Sequence, residues 1–468
     1  MTGRSENLQR LRAETFDVLI VGGGINGAGI ARDLTLRGLK TALVEQRHFA
    51  SGTSGKNSQL IHGGLRYLKN LEFGLVREAL RERSTLLHLA PHLVHPLPFL
   101  IPMYSRFDRL LYGAGLRLYD VLAGSHGIGR RRGLSIAEMK DLEPGLDSRG
   151  LVSGAIFFDA AIHSARFVLQ NIFDAVRLGA VAVNYVHYEA GHVTGAFSGE
   201  RFPVKAKKIV DATGPWGRGS TLRLVRGSHI VLPKLNRSGN AIAYFEESGR
   251  IIFVIPWGAN LELSLVGTTD SDHRGGPDEV HISGEEVRYL QRIVRRLFPG
   301  AGAAEPVSAY SSLRPLVRDD AASATKTSRE HRIWNSADGV VHVTGGKFTT
   351  YRLMSEQAAD LVCAEIAPAL AKVHLTASTP LGRDGHELMM GADDRARIAY
   401  AVEHEMAQRL ADFLYVSTYL GYEKRWTAES LEPFAAQMGR LLGWDARRTA
   451  EEIALALRAA ALPLEETR

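Results

Sequence analysis

The first fifty residues combine two apolar runs with a helical pattern between them. The segment 16–21 is apolar and runs into three glycines, and the segment 40–46 is a second apolar run that contains Glu45. The residues between the runs repeat apolar side chains at helical spacing. These side chains are Ile25, Ala28, Ile30, Ala31 and Leu34. The pattern predicts a β–α–β unit with short loops, which is the building block of a doubly wound parallel sheet.

Further along the chain the pattern changes twice. Short apolar runs separated by proline, glycine and polar turns fill residues 225–270 and predict a mainly antiparallel sheet in a second domain. From about residue 393 the pattern is almost wholly helical. The other predicted elements are helices at 73–89, 107–123, 165–178 and 350–367 and strands at 208–216 and 340–346.

Composition and charge narrow the class of protein. The chain has 468 residues, of which 45% are hydrophobic and 23% charged, so it is globular and long enough for about three domains. Its formal net charge of +6 is small for this length, and we expect no nucleic-acid partner. The single cysteine, Cys363, excludes intramolecular disulfides and zinc–thiolate clusters. We expect no signal peptide, no transmembrane helix and no metal site.

The glycines after the first strand form a recognisable motif. Gly22, Gly24 and Gly27 make GxGxxG, in which the first permits a tight turn, the second admits a pyrophosphate and the third lets helix pack on strand. Glu45 follows Gly27 by 18 residues and is placed to bond ribose hydroxyls. This context predicts a dinucleotide site, and by itself it fits NAD as well as FAD.

Two later segments favour FAD. The segment 211–216, DATGPW, ends a strand in a tight turn of the kind that closes over FAD. In the segment 345–352, GGKFTTYR, Gly345 and Gly346 predict a backbone nest, and Thr349 or Thr350 is expected to cap the following helix. Three glycine-containing sites along about 330 residues imply one long cofactor held by a discontinuous domain.

These segments together resemble the FAD-dependent glycerol-3-phosphate dehydrogenases, which are similar to D-amino-acid oxidase and glutathione reductase. The resemblance is carried by GGGINGAGIARD, SQLIHGGLRYL, FVIPW, GTTD, LRPL and GGKFTTYR, and HEMAQRLADFL resembles the family's C-terminal region. It implies an α/β fold: a Rossmann-like FAD-binding domain, an inserted antiparallel-sheet substrate domain and a C-terminal helical domain. It also implies oxidation of sn-glycerol 3-phosphate to dihydroxyacetone phosphate, with electrons passed through FAD to membrane quinone.

The resemblance suggests domain bounds and a location. The expected FAD-binding domain comprises 14–80, 150–222 and 335–372, and the expected substrate-binding cap comprises 81–149 and 223–334. Residues 385–468 form the expected helical domain. We expect a cytoplasmic protein, peripheral on the inner face of the cell membrane.

The resemblance also places residues at the substrate. Arg66, Arg314 and Arg329 are expected to hold the phosphate, since guanidinium groups bind its oxygens bidentately. Lys347 adds a cation, Tyr67 a hydroxyl donor, and His229 is the expected base, with Lys347 as its competitor. Arg66, Arg314, His229 and Lys347 are the expected catalytic residues. The expected cofactor contacts are Gly22, Gly24, Ile25, Asn26, Gly27, Glu45, Thr53, Ser54, Ser58, Leu60, His62, Gly63, Gly64, Val186, Ala212, Gly214, Trp216, Gly345, Gly346, Lys347, Phe348 and Thr349.

Several alternatives stay open at this point. The acceptor is either quinone or O₂, the latter making the protein an oxidase, and a catalytically silent flavin-binding regulator is a third hypothesis. The basic loop 126–133, HGIGRRRG, is either a solvated surface or, with helix 107–123, a patch for an anionic membrane. The sequence does not determine the oligomeric state, and a dimer is one alternative.

Overall fold

A computed structural model describes residues 3–68, 71–217, 222–246, 248–302, 304–317, 331–391 and 393–463. The helices include a cluster at the C-terminal end. They are α1 (Arg4–Ala13), α2 (Ile25–Leu36), α3 (Leu65–Leu68), α4 (Phe73–Leu89), α5 (Arg106–Ala123), α6 (Ile136–Leu142), α7 (Ser164–Arg177), α8 (Gly284–Leu297), α9 (Tyr351–Ile366), α10 (His386–Met390), α11 (Asp394–His404), α12 (Leu410–Asp412), α13 (Leu420–Glu423), α14 (Ala428–Leu442) and α15 (Ala446–Ala459). The predicted helices are present as α2, α4, α5, α7 and α9, and the sequence pattern missed α1, α3, α6 and α8.

The strands form three sheets. They are β1 (Thr15–Val21), β2 (Thr41–Val44), β3 (Leu60–Ile61), β4 (Val94–Met103), β5 (Arg132–Leu134), β6 (Ser153–Ile162), β7 (Val181–Val183), β8 (Val186–Glu189), β9 (His192–Gly195), β10 (Arg201–Pro203), β11 (Lys205–Asp211), β12 (Leu222–Pro233), β13 (Ala241–Phe245), β14 (Ile251–Trp257), β15 (Leu263–Gly267), β16 (Ser271–Asp272), β17 (Ser308–Val317), β18 (His331–Asn335) and β19 (Val341–Gly345). β5 occupies the end of the basic segment 126–133, which is therefore a shorter loop than predicted.

The first sheet is the predicted doubly wound one. Its order is β18-β19-β11-β1-β2-β7, and β1 pairs in parallel with both β11 and β2. Val18 and Ile20 of β1 are fully buried, because helices cover a parallel sheet on its faces. Helix α2 packs against α7 and α9. The carboxyl ends of β1, β2 and β11 therefore lie together, where such a sheet binds ligands.

The second sheet is mainly antiparallel, as the pattern at 225–270 predicts. Its order is β16-β12-β15-β14-β13-β4-β6-β3, with β17 beside β12 and β5 beside β6, and only the β13–β4 pair among these is parallel. Strands β3 and β6 extend this sheet, although both come from segments expected in the FAD-binding domain. Their pairing is long-range, so the local pattern does not reveal it.

The third sheet, β10-β9-β8, is small, and its strands lie between β7 and β11 in the sequence. Helices α10–α15 fill the C-terminal region, as predicted. Among the residues that the structure describes, no helix combines the length and apolar character needed to span a bilayer.

Candidate cofactor and substrate site

A cavity of about 810 Å³ is lined by residues of both large sheets. Val21 and Val44 reach it from the ends of β1 and β2, and His229 and Phe253 reach it from the second sheet. A volume of this size lies in the range of cofactor and substrate pockets. Residues at the ends of the parallel strands and residues of the antiparallel sheet can therefore contact the same ligands in this cavity.

The turn between β1 and α2 has no room for side chains. Gly22 has a φ of 113°, and a Cβ there would lie 2.5 Å from the Ala212 carbonyl oxygen. A Cβ on Gly27 would lie 1.9 Å from the Gly22 carbonyl oxygen. The first turn of α2 carries no acidic residue, so no carboxylate of its own offsets the positive end of the helix dipole, which favours a phosphate there.

Glu45 fixes this turn from the neighbouring strand. Its carboxylate accepts hydrogen bonds from the Gly23 N–H at 2.6 Å and the Arg47 N–H at 2.8 Å. The Ser54 hydroxyl accepts a bond from the Ile25 N–H at 2.9 Å. Glu45 and Ser54 both line the cavity, so they hold the glycine turn while facing any ligand bound there.

The other two glycine segments reach the same cavity. Ala212, Gly214 and Trp216 line it after β11, and Gly345 and Gly346 line it after β19. Gly345 and Gly346 have φ values of 74° and 75°, so successive residues adopt the left-handed conformation. The structure thus brings together three segments that are far apart in sequence.

The predicted threonine cap of α9 is wrong. A short 3₁₀ turn, Phe348–Thr350, precedes the helix, and no side chain caps it. Instead the Thr349 hydroxyl accepts a bond from the His62 N–H at 3.2 Å and donates one to the His62 carbonyl at 3.3 Å. Thr349 therefore links the third glycine segment, 345–352, to the HGG segment, 62–64. It does not cap α9 because it lies inside the 3₁₀ turn that precedes the helix.

The structure places nearly all the predicted cofactor contacts on the cavity. Those that line it are Gly22, Gly24, Ile25, Asn26, Glu45, Thr53, Ser54, Ser58, Leu60, His62, Gly64, Val186, Ala212, Gly214, Trp216, Gly345, Gly346, Lys347, Phe348 and Thr349. Gly27 and Gly63 do not. Gly27 packs on the Gly22 backbone, and the Gly63 N–H donates to the Tyr119 hydroxyl at 3.0 Å. Because these two glycines have no side chain, neighbouring backbone and side chains pack closely against them behind the cavity wall.

The predicted substrate residues divide into two sets. Tyr67, His229, Arg314 and Lys347 line the one cavity. The backbone of Arg66 belongs to α3, and its side chain lies outside the described part of the chain. Arg329 also lies outside the described residues.

His229 lies in the middle of the second sheet. It is opposite Gly267 of β15 on one side and Tyr310 of β17 on the other. Its ring stacks on Tyr310, with centroids 5.0 Å apart, and occupies space that Gly267 leaves, since a Cβ there would lie 2.2 Å from the His229 Cδ2. The Ser58 hydroxyl lies 2.9 Å from Nε2. Burial, with the nearby Arg314 charge, lowers the pKa of His229 to about 3, so the imidazole is neutral at neutral pH.

The loop that carries Ser58 is tied to β17 at three points. The Thr53 hydroxyl donates to the Leu313 carbonyl at 2.6 Å. The Ser312 hydroxyl donates to the Lys56 carbonyl at 2.6 Å, and the Tyr310 hydroxyl to the Asn57 carbonyl at 2.7 Å. These bonds hold Ser58 in place beside His229.

Arg314 is held in one orientation. Its Nη1 donates to the Asp270 carboxylate at 2.6 Å and to the Thr269 carbonyl at 3.2 Å, and its Nη2 donates to the Thr268 hydroxyl at 2.8 Å. Gly227 makes room for this guanidinium, because a Cβ there would lie 2.2 Å from Nη2. A fixed guanidinium on the cavity wall suits a small anion.

Lys347 and Tyr67 meet at the third glycine segment. The Lys347 Nζ lies 3.7 Å from the centroid of the Tyr67 ring, which is the geometry of a cation–π contact. The cavity therefore carries a second cation, supplied by a different element from the one that supplies Arg314.

Known proteins share this architecture. The model of the FAD-dependent oxidoreductase family DAO matches residues 17–361, and that of the C-terminal domain of alpha-glycerophosphate oxidase matches residues 385–449. A glycerol-3-phosphate dehydrogenase of Synechocystis is 37% identical over 397 residues, which cover 76% of this chain and 71% of that protein. Glycerol-3-phosphate dehydrogenase 2 of Mycobacterium tuberculosis is 37% identical over 406 residues, which cover 81% and 68%.

The chain belongs to the FAD-dependent glycerol-3-phosphate dehydrogenase family. The fold agrees: the Bacillus halodurans glycerol-3-phosphate dehydrogenase complexed with FAD has a TM-score of 0.78, with 24% identity and 99% of both chains covered. The predicted family, fold class and FAD cofactor are confirmed, and the protein is an oxidoreductase.

The residues of this family member fit FAD. The turn at Gly22 leaves backbone N–H groups at the start of α2 for the pyrophosphate, and Glu45 stands at the end of β2 for ribose hydroxyls. The Gly345–Gly346 nest offers N–H groups at the other glycine segment. A long cofactor thus has N–H donors in two segments of the cavity and a carboxylate acceptor, Glu45, in a third.

The family resemblance did not indicate two features of the cavity. One is the role of Asp270, the last residue of the GTTD segment, whose carboxylate orients Arg314 of β17. The other is an apolar wall formed by one face of the second sheet. It consists of Phe99, Phe157, Ala243, Phe245, Ile251 and Phe253. In the sequence, its only local signal is the two-residue spacing of Ala243 and Phe245 on β13 and of Ile251 and Phe253 on β14, which places each pair on one face of the sheet.

Proposed function

We propose that this family member oxidises sn-glycerol 3-phosphate to dihydroxyacetone phosphate and passes the two electrons to a membrane quinone. The observation that carries the proposal is a single cavity with His229, Arg314 and Lys347 on the walls that the glycine turns also line. The names of the relatives, glycerol-3-phosphate dehydrogenases at 37% identity, support the choice of substrate.

The chain's own residues divide the work between binding and proton transfer. Arg314 and Lys347 provide the positive charge for the phosphate, and Asp270 keeps the guanidinium aimed. We assign the hydroxyl proton to His229, which lines the cavity uncharged and has the Ser58 hydroxyl 2.9 Å from its Nε2. FAD, when bound, supplies the acceptor for the hydride from the same carbon. One proton and one hydride account for the oxidation of an alcohol to a ketone.

A panel of alcohols tests the phosphate requirement. We expect turnover with sn-glycerol 3-phosphate, in the presence of a soluble dye as acceptor, and a loss of at least about a hundredfold in kcat/KM with glycerol, because the charge-assisted contacts to phosphate are missing. Equal kcat/KM for glycerol and its phosphate would overturn the proposed substrate.

A second candidate differs only in the acceptor. The C-terminal match is to a domain of alpha-glycerophosphate oxidase, which favours O₂ as the alternative. Oxygen consumption and hydrogen peroxide formation separate the two. We expect slow peroxide formation and rapid reduction of a quinone; peroxide formed at the rate of substrate oxidation identifies an oxidase.

A further inference from the structure

One buried carboxylate on the cavity wall has no part in the chemistry described so far. Asp159 of β6 is buried, and it lines the cavity two residues after Phe157, on the same face of the strand. A buried charge is costly unless it is paired and hydrogen-bonded, so this carboxylate needs partners. An unpaired negative charge on this wall would also repel the phosphate of a substrate.

Arg83 of helix α4 supplies the pairing charge. Its Nη1 donates to the Asp159 Oδ1 at 2.5 Å and to the Phe158 carbonyl at 2.9 Å, and the guanidinium is buried with the carboxylate. The ion pair has no net charge, so the carboxylate can stand on this wall without repelling a phosphate.

The same carboxylate oxygen holds the HGG segment. The Asp159 Oδ1 accepts hydrogen bonds from the Tyr119 hydroxyl at 2.8 Å and from the Gly63 N–H at 3.2 Å, and the Gly63 N–H also donates to the Tyr119 oxygen at 3.0 Å. Burial, with the Asp159 charge, raises the pKa of Tyr119 well above its usual value, so the hydroxyl keeps the proton that it donates. A Cβ on Gly63 would lie 2.4 Å from the Tyr119 oxygen, so a side chain there would block this approach.

The segment fixed in this way leads to a substrate cation. The Tyr67 N–H donates to the Gly64 carbonyl at 2.8 Å, and the Tyr67 ring packs on Gly64, where a Cβ would lie 2.2 Å from Cδ2. The Lys347 Nζ lies 3.7 Å from the centroid of this ring. The backbone at Gly63 therefore sets the place of the Tyr67 ring, and the ring sets the place of the ammonium group.

We propose that Asp159 is a positioning residue for the substrate's phosphate: it fixes Gly63 and so holds the Tyr67 ring and, through that ring, the Lys347 ammonium group. This inference rests on the proposed function, in which Lys347 provides positive charge for the phosphate. Because Asp159 acts through the HGG segment, its loss weakens the binding of phosphate and leaves the proton and hydride steps intact.

Two variants of the FAD-loaded protein test this role. D159N keeps the shape of the side chain and removes its charge, and Y119F keeps the ring and removes the hydroxyl. Steady-state kinetics with sn-glycerol 3-phosphate and a soluble dye gives KM and kcat. Calorimetric titration with inorganic phosphate gives a Kd for the anion that does not depend on turnover.

Each variant has a matched control whose partner lies outside the HGG segment. E82Q is the control for D159N, because Glu82 is a buried carboxylate on the same helix as Arg83 and pairs with Arg352 at 2.7 Å. Y415F is the control for Y119F, because the buried Tyr415 hydroxyl donates to a backbone carbonyl at 2.7 Å in the C-terminal region. The controls therefore report what the loss of a buried bond does by itself.

For D159N we expect KM and the phosphate Kd to rise about five- to tenfold, with kcat within about twofold of the parent protein, because the loss of hydrogen bonds loosens only the phosphate cation. Y119F is expected to raise both constants about two- to fivefold. The controls keep both constants within about twofold. Parent-like constants in D159N and Y119F overturn the proposal, and so does an equal rise in the controls. If D159N does not fold, the comparison of Y119F with Y415F decides.

The route through Lys347 is tested in a K347M background. There D159N is expected to change the phosphate Kd by less than about twofold, because the cation that Asp159 positions is already gone. A full five- to tenfold effect in that background overturns the route. The proposed function fails separately, by absence of dye reduction in the parent protein with sn-glycerol 3-phosphate, and the phosphate titration still reports on Asp159 in that case.

Discussion

At the scale of single residues, the site places the neutral imidazole of His229 near the fixed guanidinium of Arg314. His229 is buried against Tyr310 and Gly267, with Arg314 as the nearby charge that adds to the low pKa of about 3. Arg314 keeps its own charge and is oriented by Asp270. The two side chains come from paired strands, β12 and β17, so their relative position is set by a rigid sheet.

His229→Ala tests the base. We expect the rate of flavin reduction to fall about a hundredfold or more, since general-base catalysis contributes about 10²–10⁴. The FAD content per chain should stay unchanged, because the contacts of the glycine turns remain. Stopped-flow absorbance gives the rate, and flavin released on denaturation gives the content. A parent-like rate would show that another group, with Lys347 first among them, takes the proton.

Arg314→Ala tests the phosphate contact. The expected effect is a rise in KM for sn-glycerol 3-phosphate of about ten- to a hundredfold, because a charge-assisted hydrogen bond contributes about 1.5–3 kcal/mol. Steady-state kinetics with a soluble dye measures it. Arg314→Lys, which keeps the charge but loses the fork, is expected to recover part of the loss. A change in kcat alone would contradict a binding role.

At the scale of elements, local patterns predict β1, α2 and β2 because apolar spacing and the glycine turn are short-range signals. They also predict α5 and α9 closely. They fail where distant segments meet. The pairing of β3 and β6 with the second sheet, the Thr349 bonds to His62 and the Asp270–Arg314 pair all join residues far apart in sequence. No spacing along the chain reports such contacts.

Gly22→Ala tests the turn that the pattern predicts. The added Cβ would lie 2.5 Å from the Ala212 carbonyl, at a φ that disfavours side chains, so the variant is expected to purify with little FAD. Gly74→Ala is the matched control, because nothing lies within 4 Å of a Cβ there and Gly74 sits in helix α4. Flavin absorbance per chain measures both. Equal FAD content in the two variants would contradict the close approach.

At the scale of the whole molecule, the C-terminal region contacts residues that hold Ser58 and His229 in place. The Tyr419 hydroxyl donates to the Gly55 carbonyl at 2.8 Å and so holds the loop that carries Ser58. The Tyr422 ring packs on Tyr310, with centroids 5.0 Å apart, and Tyr310 stacks on His229. The sequence indicates that this region is helical, but its contact with β17 depends on the assembled fold.

Histidines with lowered pKa values, among them His386, make the stability of the whole protein depend on pH. Burial lowers the pKa of His229 and His163 to about 3 and that of His92 to about 4. In the unfolded chain the pKa of each histidine is about 6.5. As pH falls below about 6.5 the unfolded state binds more protons than the folded state, so stability is lost progressively toward about pH 3.

The melting temperature of the FAD-loaded protein between pH 7.5 and pH 4.5 measures this dependence. We expect it to fall with acidification, and to fall less steeply in His163→Gln, which removes one of the titrating histidines. A flat profile across this window, or the same slope in the variant, would contradict neutral burial of these histidines.

We propose that glycerol phosphate delivers its hydride to FAD in this cavity. An anaerobic titration of the purified protein with sn-glycerol 3-phosphate, followed at the absorbance band of oxidised flavin near 450 nm, tests it most directly. We expect bleaching that is complete within the dead time of manual mixing, that His229→Ala slows by about a hundredfold or more, and that glycerol does not cause. A flavin that dithionite bleaches and sn-glycerol 3-phosphate leaves oxidised would contradict it.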